Sequence, residues 1–209
     1  PRRELCVYAF ADDGFLTAAD ALLVREGPGF ITIDGTDGKN RTKVDALVSK
    51  HRTAETQALN ILQEILNTPN IAKHGLYYHW IDAATGAPRP DWDGVSTVDS
   101  ALFYAGAIVA GSRFGGYVDD AVTELLLAAD WSKFVVTDEV SGFPSGYLSL
   151  AWEPDNQDQP TGSGELMTSA WVDAMDEERL TVFLAQTQLD PTKSTDPNLW
   201  WLLRRPIGN

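Results

Sequence analysis

One capped, apolar helix in the middle of this 209-residue chain constrains its fold more than any other feature. Ser96-Thr97-Val98-Asp99 has the form of a capping box, with serine at the cap position and a carboxylate three residues later. Behind it, residues 101–110 are almost uninterruptedly apolar. That run is about half of what a bilayer crossing requires, so it predicts no membrane span. The helix is apolar around most of its circumference, and the expectation is that protein encloses it on nearly all sides.

Weaker signals flank it. Ala58, Leu59, Leu62, Ile65 and Leu66 fall at helical spacing, which predicts a helix over 53–66 that Asn67-Thr68-Pro69-Asn70 stops. Asp119-Asp120 opens another, to about residue 129, where negative charge suits the helix N-terminus. A last long helix is predicted over 165–188 and a short one around Trp200. Residues 75–94 read as loop or short strand, and 134–165 as loop punctuated by Gly and Pro. In the first fifty residues, 5–10 fits a strand or a buried helical turn, 17–25 a short helix and 30–34 a strand. The expected fold is mainly α: a short β-containing N-terminal segment over 1–50 and a helical domain over 51–209.

The formal charge of −14 argues against a nucleic-acid partner, since phosphate binding rests on clustered Lys and Arg, and adjacent pairs such as Arg204-Arg205 and Arg2-Arg3 make no groove. A neutral polymer would not be repelled. Cys6 is the single cysteine, so neither an intrachain disulfide nor a cysteine metal cluster can form. His51, His74 and His79 are too scattered for a zinc helix motif, and neither metal nor cofactor is expected.

Several segments, in order, carry a family resemblance. They are Gly75-Leu76-Tyr77-Tyr78-His79-Trp80-Ile81-Asp82 with Thr85-Gly86, then Val95-Ser96-Thr97-Val98-Asp99-Ser100-Ala101-Leu102 with Ala105-Gly106. Ala128-Ala129-Asp130-Trp131, the stretch ending Ala151-Trp152-Glu153-Pro154, and residues 171–185 with Asp190-Pro191-Thr192 follow. Together, residues 75–205 resemble the glycoamylase-like family, which includes bacterial endo-β-1,2-glucanases and a domain of cyclic glucan synthases. The resemblance implies an (α/α)6 toroid with a sugar cleft at one end of the inner ring, and a secreted or periplasmic setting. A toroid of about twelve helices needs more chain than this. Part of a longer polypeptide with a missing N-terminal half, a homo-oligomer in which a second copy supplies the rest, and a reduced version of the fold all fit.

Glycoside hydrolysis needs two carboxyl groups flanking the scissile bond. Asp82, Asp91, Asp93 and Asp99 crowd the start of the signature helix, and two compatible roles are open to Asp99: helix capping and sugar chemistry. Where the family carries a glutamate as general acid, this chain has Gly94, which cannot donate a proton; Asp93 is the nearest substitute. Glu177 or Asp176 occupies the place of a second family glutamate, depending on register. The alternative is a solvated acidic face with Arg179 as local partner. Tyr77, Trp80, Trp92, Trp152 and Trp171 are core or cleft aromatics, with Trp80 and Trp92 favoured for the cleft, and His79 and Asp82 join them as sugar-binding candidates.

Two functions stand against each other. One is metal-free, inverting hydrolysis of a β-glucan, β-1,2 linkage being favoured, with Asp93 or Asp99 and Glu177 or Asp176 as the carboxylates. The other is a family member that binds oligo- or polysaccharide, or serves in assembly, without hydrolysis.

Overall fold

The computed structural model describes residues 6–9, 22–26, 29–33, 41–82, 84–89, 94–137, 145–174 and 177–204. The chain divides into two compact units, Pro1–Ala58 and Leu59–Asn209.

The first unit carries an antiparallel sheet of β1 (Cys6–Ala9), β2 (Leu22–Glu26) and β3 (Gly29–Ile33) in that order. Register runs Val7–Val24–Ile31 across it. The helix expected over 17–25 is therefore corrected: its described part is the central strand. Local Ala and Leu content suggested helix, but pairing with a strand on each side decided otherwise. Helix α1 (Arg41–Asn67) starts well before residue 53. Its last carbonyls are closed by side chains, Asn67 Nδ2 donating to Gln63 O and Thr68 Oγ1 to Glu64 O, both at 2.7 Å. Pro69 prevents its continuation.

In the second unit, β4 (Ala72–Lys73) and β5 (Leu76–Tyr77) form a tight hairpin. Its central residues, His74 and Gly75, have φ of 51° and 79°, the paired positive φ that a two-residue type I′ turn requires. A bridge between Tyr78 and Val95 joins this hairpin to a second sheet. That sheet is β6 (Val95–Ser96), β7 (Ala151–Pro154) and β8 (Gly164–Leu166), all antiparallel.

Strand β6 runs directly into helix α2 (Thr97–Phe114), and Gly115, at φ 66°, turns the chain into α3 (Gly116–Ala128). A Cβ on Gly111 would lie 2.9 Å from Asp119 Oδ1, so glycine lets the two helices approach. The core gathers around α2 and α3: Leu76, Val95, Tyr104, Val118, Leu125 and Phe134 are fully buried. Tyr104 donates its hydroxyl to Gly75 O at 2.6 Å and lies 3.1 Å from Leu125 O, tying helix, hairpin and α3 together. Helices α4 (Glu178–Gln186) and α5 (Leu199–Leu202) complete the chain.

Helix is the larger share, with α1, α2 and α3 at 27, 18 and 13 residues against strands of two to five. The mainly α expectation holds at this level. Three particulars do not. The helix expected over 165–188 is only Glu178–Gln186, because upstream backbone bonds sideways: Trp171 N donates to Leu148 O, and Ala174 N to Arg204 O. The 134–165 loop contains β7 and the start of β8. Helix α2 is not enclosed all round, since Leu102 is 49% and Val109 69% exposed.

Candidate functional site

The candidate site is built where β6 passes into α2. Ser96 caps the helix: its Oγ accepts from Asp99 N at 3.2 Å and donates to Asp99 Oδ2 at 2.5 Å. The box thus closes side chain to side chain and holds the Asp99 carboxylate at the helix start, where the dipole favours its charge. Ser100 follows the same logic inside, donating to Ser96 O and accepting from Tyr77 N. Asp99 is therefore both a cap and a half-exposed carboxylate.

The Tyr78–Val95 bridge and the His79 N to Gly94 O bond (3.1 Å) carry His79 to the same place. His79 Nε2 lies 3.7 Å from Asp99 Oδ2, within ion-pair reach when the imidazole is protonated. Its ring stacks on Trp80 at 4.7 Å and 26°, and Trp80 is 44% exposed. The result is a ledge: an indole with an imidazole stacked on one face and a carboxylate within reach of that imidazole.

Beneath the ledge the other candidates are more deeply set. Trp171 donates its indole N–H to Thr97 Oγ1 at 2.8 Å, and the Thr97 hydroxyl lies 2.8 Å from Leu150 O. That chain of bonds fixes Trp171, half-buried, against the helix start. Trp152 is only 5% exposed and belongs to the sheet's core. Lys73 Nζ sits 4.7 Å over its ring while bonding Thr161 O (3.0 Å) and Gly162 O (2.5 Å), so the loop after β7 is strapped across it.

Gly94 has a physical explanation. A Cβ there would lie 1.9 Å from Trp152 O, inside the backbone of the neighbouring strand. Strand proximity itself excludes any side chain at 94.

Asp82 stands apart from the ledge in a turn of its own. Oδ1 accepts from Ala84 N and Thr85 N at 2.9 Å and from Thr85 Oγ1 at 3.0 Å. The Thr85 backbone bond is the main reason its carboxyl titrates below the usual carboxylate range. Glu177 is exposed at the start of α4, where its carbonyl accepts from Thr181 Oγ1, and no hydrogen bond or ion pair joins it to Asp99. Asp173 precedes α4 and pairs with Arg204, with Arg204 Nε 2.9 Å from Asp173 Oδ1. Arg179 Nε donates to Ala174 O and forms no ion pair with the neighbouring acids among the described residues. Asp91, Trp92, Asp93 and Asp176 lie outside the described residues.

The structure thus brings together His79, Trp80 and Asp99, with Trp171 below. The part played by Ser96 in orienting the carboxylate went unread because serine at a cap is explained by the helix alone. Among the described residues, no three His, Cys, Asp or Glu side chains converge to hold a metal ion, and no helix is long and apolar enough to cross a membrane. Comparison with known proteins gives no match to a family model, a curated protein or a solved structure.

Proposed function

We propose that this chain is a carbohydrate-directed domain of the glycoamylase-like kind, and that Trp80, His79 and Asp99 contact the sugar. The observation that carries the reading is the half-exposed Trp80 stacked on His79, with the Asp99 carboxylate 3.7 Å from the imidazole. An indole face receives the apolar C–H face of a pyranose, and a fixed carboxylate accepts from adjacent hydroxyls. The two segments that bear the strongest family resemblance, 75–82 and 95–102, are those that build the ledge. A neutral glucan, β-1,2 linkage favoured, suits a chain of charge −14. A part or reduced form of an (α/α)6 ring belongs to the same proposal. The exposed apolar face of α2 supports it, because an inner-ring helix has neighbours on both sides.

The proposed role is binding without hydrolysis by the family's usual acid. Acid catalysis at residue 94 needs a side chain where strand β7 leaves no room for a Cβ. A second reading, hydrolysis with Asp99 as one of two carboxylates, draws on the pairing of Asp99 with His79. One experiment separates them: linear β-1,2-glucan is titrated calorimetrically while new reducing ends are followed in the same sample. Binding without new ends, weakened about tenfold in Trp80→Ala, is the expected result. Turnover abolished by Asp99→Asn would replace it with the hydrolase, and a glucan that neither binds nor turns over would end both.

A further inference from the structure

A groove of about 570 Å³ opens between the last turns of α1 and the turn over residues 81–86, within the size range of small-molecule sites. Its apolar lining includes Ile65, Pro69, Ile71, Ile81 and Ala84. Its polar lining includes Glu64, Asn67, Thr68, Asp82 and Thr85, and contains no Lys, Arg or His.

The hydrogen-bond pattern shows what these polar groups can still do. Most side-chain donors are directed inward: Thr68 Oγ1 to Glu64 O, one N–H of Asn67 Nδ2 to Gln63 O, Thr85 Oγ1 to Asp82 Oδ1. The oxygens left without a hydrogen bond among the described residues are Asp82 Oδ2, Asn67 Oδ1 and the Glu64 carboxylate. The groove therefore offers mainly acceptors, with one Asn67 N–H beside them, and the turn that depresses the Asp82 carboxyl keeps that group ionised near neutrality.

We infer that this groove is a second binding site, which takes a hydroxyl-rich saccharide segment through Glu64, Asn67 and Asp82, with a ring face against Ile81. A ligand there must supply mostly donors, and an anion would meet two carboxylates. A hydrated cation would make no use of the apolar side chains, whereas a sugar ring uses both kinds of surface. Trp80 and Ile81 are consecutive residues, so the ledge and the groove meet at one point of the chain. The inference rests on the carbohydrate reading above and extends it from one contact point to a path.

The test is calorimetric titration with linear β-1,2-glucan oligosaccharides of increasing length against the native chain, Glu64→Ala, Ala84→Arg and Trp80→Ala. Ala84 is exposed on the groove wall, so its substitution by arginine blocks the groove from a position where only the backbone is used. Both groove variants are expected to bind short oligosaccharides as the native chain does and to lose about tenfold on long ones. Trp80→Ala is expected to lose affinity at every length. Native-like binding of long chains by both groove variants overturns the inference and leaves the ledge standing. Loss in the groove variants with Trp80→Ala unaffected removes the ledge and keeps the groove. Calcium chloride titrated alone is the remaining arm: saturation that Glu64→Ala abolishes makes this a cation site and overturns the saccharide assignment. Absence of binding at any length overturns both.

Discussion

Two neighbouring hairpin turns of the second unit, the β4–β5 turn and one closed by an antiparallel bridge between Ile81 and Pro88, are held in opposite ways. The turn at His74-Gly75 is fixed from outside. Gly75 O accepts from Tyr104, His74 O accepts from Asp130 N at 2.8 Å, and a Cβ on Gly75 would lie 2.3 Å from Ala128 O. The turn at residues 82–86 is fixed from within, by Asp82 Oδ1 and by Gly86 N donating to Asp82 O at 2.8 Å. A Cβ on Gly86 would meet nothing nearer than Thr68 Cγ2 at 3.7 Å. A turn that stabilises itself leaves its outward surface available, which is why both the ledge and the groove border the second hairpin.

If this contrast is right, Gly75→Ala is the most damaging change, because positive φ and a backbone collision act together. It should cost about 4 kcal/mol or more in urea unfolding. Wild-type stability in that assay would erase the distinction.

Tyr104→Phe comes next, at about 1–3 kcal/mol, for leaving the buried carbonyls at Gly75 and Leu125 with one donor fewer. Its effect has a pH signature. Burial raises the hydroxyl pKa of Tyr104, and that of Tyr78 from 10.0 to about 12. Above pH 10 the unfolded chain has released these protons while the folded chain retains them. Stability is therefore full below pH 10 and falls as pH rises toward 12. Denaturation midpoints at pH 9 and pH 11 check this, and Tyr78→Phe should flatten the decline.

Gly86→Ala should cost only about 1 kcal/mol, the price of positive φ without a collision. Trp80→Ala should cost least in urea unfolding, about 0.5 kcal/mol or less, while weakening glucan binding. A large loss of stability there would mean that Trp80 is a core residue and the second hairpin is no freer than the first.

The same contrast explains what could be read from the sequence. The Ser96–Asp99 cap and the stop at Asn67-Thr68-Pro69 are local devices, and each stands where the sequence placed it. The overlong last helix was wrong because Trp171 and Ala174 bond to residues far along the chain. The strand at Leu22–Glu26 was misread for the same reason. At the site, Asp99 and His79 were both singled out, but their pairing depends on the Tyr78–Val95 bridge, which spans residues that no periodicity connects. The exposure of Leu102 and Val109 was hidden because hydropathy records what a helix side could bury, not what covers it.

The approach of Gly94 to Trp152 also confines sequence change at this position. The atom that a new side chain would strike is a main-chain oxygen, and no replacement of a neighbouring side chain removes it. Placing an acidic group at residue 94 would require strand β7 to shift together with Lys73 and the loop it straps down, a rearrangement outside the reach of single substitutions.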